Sequence, residues 1–178
     1  MTKRALITGI TGQDGAYLAK FLLDKGYEVY GTYRRLSTPN FWRLEYLGVY
    51  HKVYLIPADL ADMSSIIEAL KISEPDEVYH LAAQSFVEAS FETPVATGDV
   101  TGLSTTRILE AIRLVYPGTK FYNAATSEIF GKTGMLNGGR PLNENDPFMP
   151  MSWSIAKPIT TNPECAWRHR TALCCESE

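Results

Sequence analysis

The stretch Gly9-Ile10-Thr11-Gly12-Gln13-Asp14-Gly15 decides the fold of this chain. Before it, Lys3-Arg4-Ala5-Leu6-Ile7-Thr8 is an apolar run of buried-strand length. After it, Tyr17, Leu18, Phe21 and Leu22 recur at helical spacing as far as Lys25-Gly26, a helix stop. Three glycines thus stand at a strand-to-helix turn. Glycine there accepts positive φ and lets a phosphate approach the backbone. The free N–H groups of the helix start face such an anion. Gly15 falls where helix and strand must pack closely. The flanking strand and helix give a bare glycine pattern the context of a dinucleotide fingerprint. Gly9, Gly12 and Gly15 are expected to form a cradle for a pyrophosphate. The competing reading is a tight turn that binds nothing.

The chain has 178 residues, enough for one domain with a sizeable core. Apolar residues make up 45% and charged residues 21%, which is ordinary for a globular protein. The net charge of −3 gives no electrostatic case for nucleic acid or a membrane surface as partner. No apolar run is long enough to span a bilayer. The cysteines Cys165, Cys174 and Cys175 form no C-x-x-C pair and no even-numbered framework. With no signal-peptide pattern ahead of the first strand, the expected setting is cytoplasmic. Cys165, His169, Cys174 and Cys175 are irregularly spaced, so no metal site is expected.

Outward from the glycines, strands and helices alternate. Glu28 to Tyr33 reads as a second strand ending at Arg34-Arg35, about twenty residues past the turn. An acid there would hold the ribose 2′-OH of NAD. A cation suits the 2′-phosphate of NADP, so Arg34 points to NADP, the alternative being a solvated charge pair. Asn40 to Leu47 reads as a short helix. Lys52 to Pro57 is a third strand, running into Ala58-Asp59-Leu60. Asp59 either caps the next helix or hydrogen-bonds an adenine, and Asp62 competes for the cap. Asp76 to Leu81 is a fourth strand, leading into Ala82-Ala83-Gln84-Ser85, where small residues leave room for a flat ligand. His80, inside that strand, reads as a packed core residue. Thr93 to Tyr116 reads as one long helix, apolar on more than one side. Thr119 to Ala124 is a fifth strand delivering Thr126, Ser127 and Glu128. The stretch 131–151, rich in Gly, Pro and Asn, reads as a functional loop.

Five such alternations predict an α/β fold, a doubly wound parallel sheet of Rossmann type in the order 3-2-1-4-5. The glycine turn, Arg34, Asp59, Ala82 and Thr126 all fall beyond the carboxyl ends of its strands, where such sheets bind ligands. Residues 1–150 are expected to form the NADP-binding domain. Residues 151–178 are expected to be a degenerate or truncated segment, with no C-terminal substrate domain or only part of one.

Thr8 to Leu18, Gly31 to Arg35, Ala58 to Leu60, Leu81 to Ser85 and Thr126 to Gly131 together resemble the extended short-chain dehydrogenase/reductase family. Within it they are most similar to the GDP-mannose 4,6-dehydratase subgroup, through the Gly-Gln-Asp-Gly turn and the Thr-Ser-Glu triplet. The resemblance covers residues 3 to about 150. It implies an NADP-dependent lyase acting on GDP-mannose or a related nucleotide-sugar, with Gly9, Thr11, Gly12, Gln13, Asp14, Gly15, Arg34, Asp59, Leu60, Leu81, Ala82, Ala83 and Lys157 around the cofactor. It implies Ser85, Thr126, Ser127 and Glu128 around the substrate. Thr126 would hydrogen-bond the C4 oxygen of the sugar, and Glu128 would remove the C5 proton once C4 is a ketone. It implies a homo-oligomer where the helix after residue 151 is intact.

The pattern departs from the subgroup at its Tyr-x-x-x-Lys pair. Lys157 is present, but Trp153 stands where the tyrosine belongs, and Pro158 follows the lysine. An indole N–H is a donor only and cannot serve as a base. A proline inside a helix costs about 3 kcal/mol. A catalytically silent NADP-binding module is therefore the reading beside the dehydratase. An epimerase, or a dehydratase of another nucleotide-sugar, is the runner-up within the enzymes.

Overall fold

The alternation of Ala5 and Ile7 with Leu6 sends side chains to opposite faces of one strand, and all three are buried. A strand buried on both faces belongs at the centre of a covered parallel sheet. The computed structural model, which describes residues 2–38, 40–126, 129–133, 138, 140–143 and 145–149, has that strand at the middle. The sheet runs in the order β3-β2-β1-β4-β5, from β1 (Arg4–Thr8), β2 (Glu28–Tyr33), β3 (Tyr54–Pro57), β4 (Glu77–His80) and β5 (Lys120–Asn123). Every pairing is parallel. The protein is a doubly wound Rossmann-type α/β fold, as the sequence predicts.

Two cores follow from the alternation. On one face Ala5, Ile7 and Val29 pack with Ile10 and with Ala16, Ala19 and Leu22 of α1 (Gln13–Asp24). Leu44, from the short helix α2 (Trp42–Tyr46), completes this layer. On the other face Leu6, Tyr30, Val78 and Phe121 meet Ile66, Ala69 and Leu70 of α3 (Met63–Ser73). Ile108, Ala111 and Ile112 of α6 (Ser104–Val115) close that layer. The start of α3 settles the competition between the aspartates. The Asp62 carboxylate accepts the N–H groups of Ser64 and Ser65, both at 3.0 Å. Those two donors hold its pKa below the usual carboxylate range.

The helix expected over 93–116 runs unbroken from Pro94 to Val115: α5 (Pro94–Thr97) passes through a π-helical stretch, Gly98–Leu103, into α6. A short helix that the sequence reading lacks, α4 (Val87–Glu92), precedes it. Arg107 reaches back across the wide turn to the carboxylate and carbonyl of Asp99, and also bonds the Leu60 carbonyl. That clamp stabilises the extra residue of the π-turn, which hydrophobic periodicity does not register.

The loop expected after residue 131 closes on itself. Met149 donates its N–H to the Ile129 carbonyl at 3.0 Å, and Lys132 donates to the Met149 carbonyl at 3.1 Å. Ile129 and Phe130 are buried, with Phe148 packed edge-on against Phe130. An ion pair of Arg140 and Asp146 lies within the loop. None of the described helices is long and apolar enough to cross a membrane.

Candidate functional site

The strand register aligns Ile56, Thr32, Thr8, His80 and Asn123 in one row across the sheet. Everything just beyond that row shares the carboxyl edge. The structure therefore brings the glycine turn, Arg34, Asp59, Ala82 and Thr126 to a single edge. A cleft of about 320 Å³ opens there, between Asp14, the chain from Leu81 to Ser85, Thr101 and Thr105, and the chain from Asn123 to Thr126.

Each glycine in the turn has its own reason. Gly9 has φ +73°, and a Cβ built on it would lie 3.0 Å from both Cα and Cβ of Ala82. Gly12 is the N-cap of α1, with an ordinary φ of −71°. Its N–H donates to the Gly9 carbonyl at 2.9 Å. Gly15 lies inside α1, where a Cβ would approach the Gly9 carbonyl oxygen to 2.4 Å. The sequence expectation of positive φ holds at Gly9 alone, and Gly15 is required by helix-to-turn packing. One further glycine belongs to this group. Ile10 fills the space over Gly31, where a Cβ would sit 2.2 Å from Cδ1 of Ile10. No side chain caps α1, so its first backbone N–H groups face the cleft edge with no intrahelical partner.

Small residues bring the end of β4 against this turn. Thr8 Oγ1 accepts the N–H groups of both Leu81 and Ala82 at 3.2 Å. Thr101 Oγ1 accepts the N–H of Gln84 at 3.1 Å, and the Gln84 side chain folds back on Phe86. Thr8 heads the matching segment Thr8 to Leu18 but takes no role from it, and Thr101 lies in none of the matching segments. The signal that finds Thr8 is the strand register, which sets it beside His80. His80 is buried between Thr8 and Ser104, as the core reading expects, and burial pushes its pKa down to about 4.

Asp59 accepts the N–H of Ala61 on Oδ1 at 2.9 Å, a turn contact rather than a helix cap. Arg34 and Arg35 are exposed just past β2. Neither makes an ion pair with another described residue. Thr126 lines the cleft. Ser127, Glu128, Trp153 and Lys157 lie outside the described residues, as do Cys165, His169, Cys174 and Cys175. Among the described residues no cluster of His, Cys, Asp and Glu is suited to a metal ion.

Residues 6–175 match the family model of the GDP-mannose 4,6 dehydratases. The chain belongs to the GDP-mannose 4,6-dehydratase family. The match runs past residue 150, beyond the reach of the motifs. The GDP-mannose 4,6-dehydratase of Yersinia enterocolitica is 45% identical over 163 residues, which cover 87% of this chain and 43% of that one. A Vibrio cholerae relative of the same name is 47% identical over 167 residues, 88% and 43% of the two chains. The chain thus spans less than half the length of these relatives. Among solved structures, the Thermus thermophilus UDP-glucose 4-epimerase in complex with NAD superposes with TM-score 0.78 at 29% identity. That likeness covers 93% of this chain and 51% of the other. A dTDP-glucose 4,6-dehydratase from Bacillus anthracis, with TM-score 0.72 at 18% identity over 89% and 48%, shares the fold.

Proposed function

We propose that this chain is the NADP-binding half of a GDP-mannose 4,6-dehydratase, with residues 1–150 as its cofactor domain. The observation that carries the reading is the contact of Gly9 with Ala82 beside an uncapped helix start. Any side chain at Gly9 would strike Ala82, and the backbone on both sides of the cleft is left bare for a ligand. A pyrophosphate fits such a cradle, bound by the first N–H groups of α1. Arg34, exposed at the end of β2 as it is, would meet the 2′-phosphate of NADP, and Asp59 and Leu60 would flank the adenine. The small side chains of Ala82 and Ala83, after Leu81, leave room for a flat ring. The Thermus thermophilus epimerase and the Bacillus anthracis dehydratase are complexes with NAD, which supports a nicotinamide dinucleotide in the same cleft.

The bound nicotinamide supplies a hydride acceptor that later returns the hydride. The chain's own residues do the rest. Thr126 would hold the C4 oxygen of GDP-mannose, and Ser85 and Ser127 would orient the sugar. Glu128 would take the C5 proton, made acidic by the C4 ketone, while water leaves from C6. Lys157 would bind the nicotinamide ribose. Glu128 favours a dehydratase over an epimerase, which needs no such base.

Trp153 supports a second reading, that this polypeptide binds NADP without turning over. Incubation of the chain with NADP and GDP-mannose separates the two. Release of a 4-keto-6-deoxy sugar nucleotide establishes the enzyme. Binding without product establishes the silent module.

A further inference from the structure

The last row of the sheet holds an imidazole between two hydroxyls. Thr8 Oγ1 lies 2.7 Å from His80 Nδ1, and Ser104 Oγ lies 3.2 Å from Nε2. All three residues are buried. The direction of each bond follows from counting lone pairs. Thr8 Oγ1 already accepts two N–H groups, those of Leu81 and Ala82. A hydroxyl has two lone pairs and one hydrogen, so the Thr8 hydrogen goes to Nδ1. Nδ1 accepts, and the neutral ring carries its proton on Nε2. Nε2–H donates to Ser104 Oγ, whose own hydrogen goes on to the Thr101 carbonyl at 3.4 Å. Thr101 Oγ1 in turn accepts the Gln84 N–H.

The backbone of Leu81, Ala82 and Gln84 forms one wall of the cleft. It hangs on two threonines, one at the end of the central strand and one in the π-helical stretch. A single ring connects them. We propose that His80 is a positioning residue of this cleft: as the Nε2–H tautomer, it joins Thr8 to Ser104 and so fixes the wall from Leu81 to Gln84 against the glycine turn. The task needs an acceptor and a donor on opposite sides of one rigid side chain. Asparagine can serve only the Thr8 side, and leucine serves neither. The proposal rests on the cofactor reading only for what the cleft holds. The wiring itself concerns the ligand-free protein.

The test uses the full chain without ligand first. Long-range ¹H–¹⁵N spectra of the wild-type ring should show a protonated Nε2 and an unprotonated Nδ1. Amide hydrogen exchange at Leu81, Ala82 and Gln84 should accelerate by about tenfold or more in His80→Leu and recover in part in His80→Asn. Exchange in α1, on the other face of the sheet, should stay unchanged. Dinucleotide affinity, measured with NADP by calorimetry, should fall by about tenfold in His80→Leu, again with partial recovery in His80→Asn. A proton on Nδ1 in the wild type would overturn the proposal whether or not any variant folds. So would a folded His80→Leu protein with unchanged exchange at those three amides. Wild type that takes up no dinucleotide would overturn the cofactor reading instead, and the tautomer and the amides would still decide the wiring.

Discussion

Gly9 and Ala82 touch: a Cβ on the glycine would lie 3.0 Å from the alanine's Cα and Cβ. The contact ties the turn after β1 to the end of β4, beside the cleft that Ala82 lines. Gly9→Ala therefore carries two penalties, a left-handed φ and a steric clash. We expect a loss of about 2–3 kcal/mol of stability by denaturant titration, with dinucleotide binding lost in the folded fraction. A variant of wild-type stability that binds NADP normally would show that the turn can move away from Ala82.

Gly12 and Gly15 should differ from each other. A Cβ at Gly12 meets only the Gly9 carbonyl oxygen, at 3.2 Å, with no strain in φ. At Gly15 it meets that oxygen at 2.4 Å and the Ile10 Cα at 2.7 Å. Both obstacles at Gly15 are backbone, so α1 itself must shift. Gly15→Ala should lower the thermal midpoint clearly more than Gly12→Ala, and the reverse ranking would contradict this packing.

Buried His80 makes stability depend on pH. Its pKa is about 4 in the folded chain, against about 6.5 in an unfolded one. Between those values the unfolded state binds the extra proton, so stability falls as pH drops from about 6.5 toward 4. The loss attributable to this ring approaches about 3 kcal/mol. The difference between the pH–stability curves of wild type and His80→Asn isolates it from the carboxylates. Parallel curves would mean the ring titrates normally.

The sequence foretold the five strands and their order because each strand carries a short apolar run between turn signals. It foretold the carboxyl edge for the same reason, since strand ends can be counted. It did not foretell the π-turn inside the helix over 93–116. Apolar spacing reports which residues face inward, and a π-turn held by Arg107 and Asp99 changes the rise without changing that alternation enough to notice. α4 was missed because Phe86 and Phe91 are exposed, so no inward-facing periodicity marks it. Thr8 and Thr101 were invisible as site residues because their contacts come from neighbours about seventeen or more positions away. The roles expected of Glu128 and Lys157 come from the family motif alone, and both positions lie outside the described residues.

Trp153 bears on turnover. The chain as it stands should give no measurable product from GDP-mannose, since general-base catalysis of this kind is worth ~10²–10⁴-fold. Trp153→Tyr alone should not restore activity, because Pro158 still follows Lys157. Product formation by the unaltered chain, read by chromatography of the sugar nucleotide, would remove Trp153 as an obstacle.

Calorimetric titration with NADP and with NAD tests the central claim most directly. The account predicts saturable binding of both, tighter for NADP. The difference should vanish in a double variant, Arg34→Ala with Arg35→Ala, whose affinity for NAD stays near that of the wild type. Absence of binding, or a wild-type preference for NAD, would contradict it.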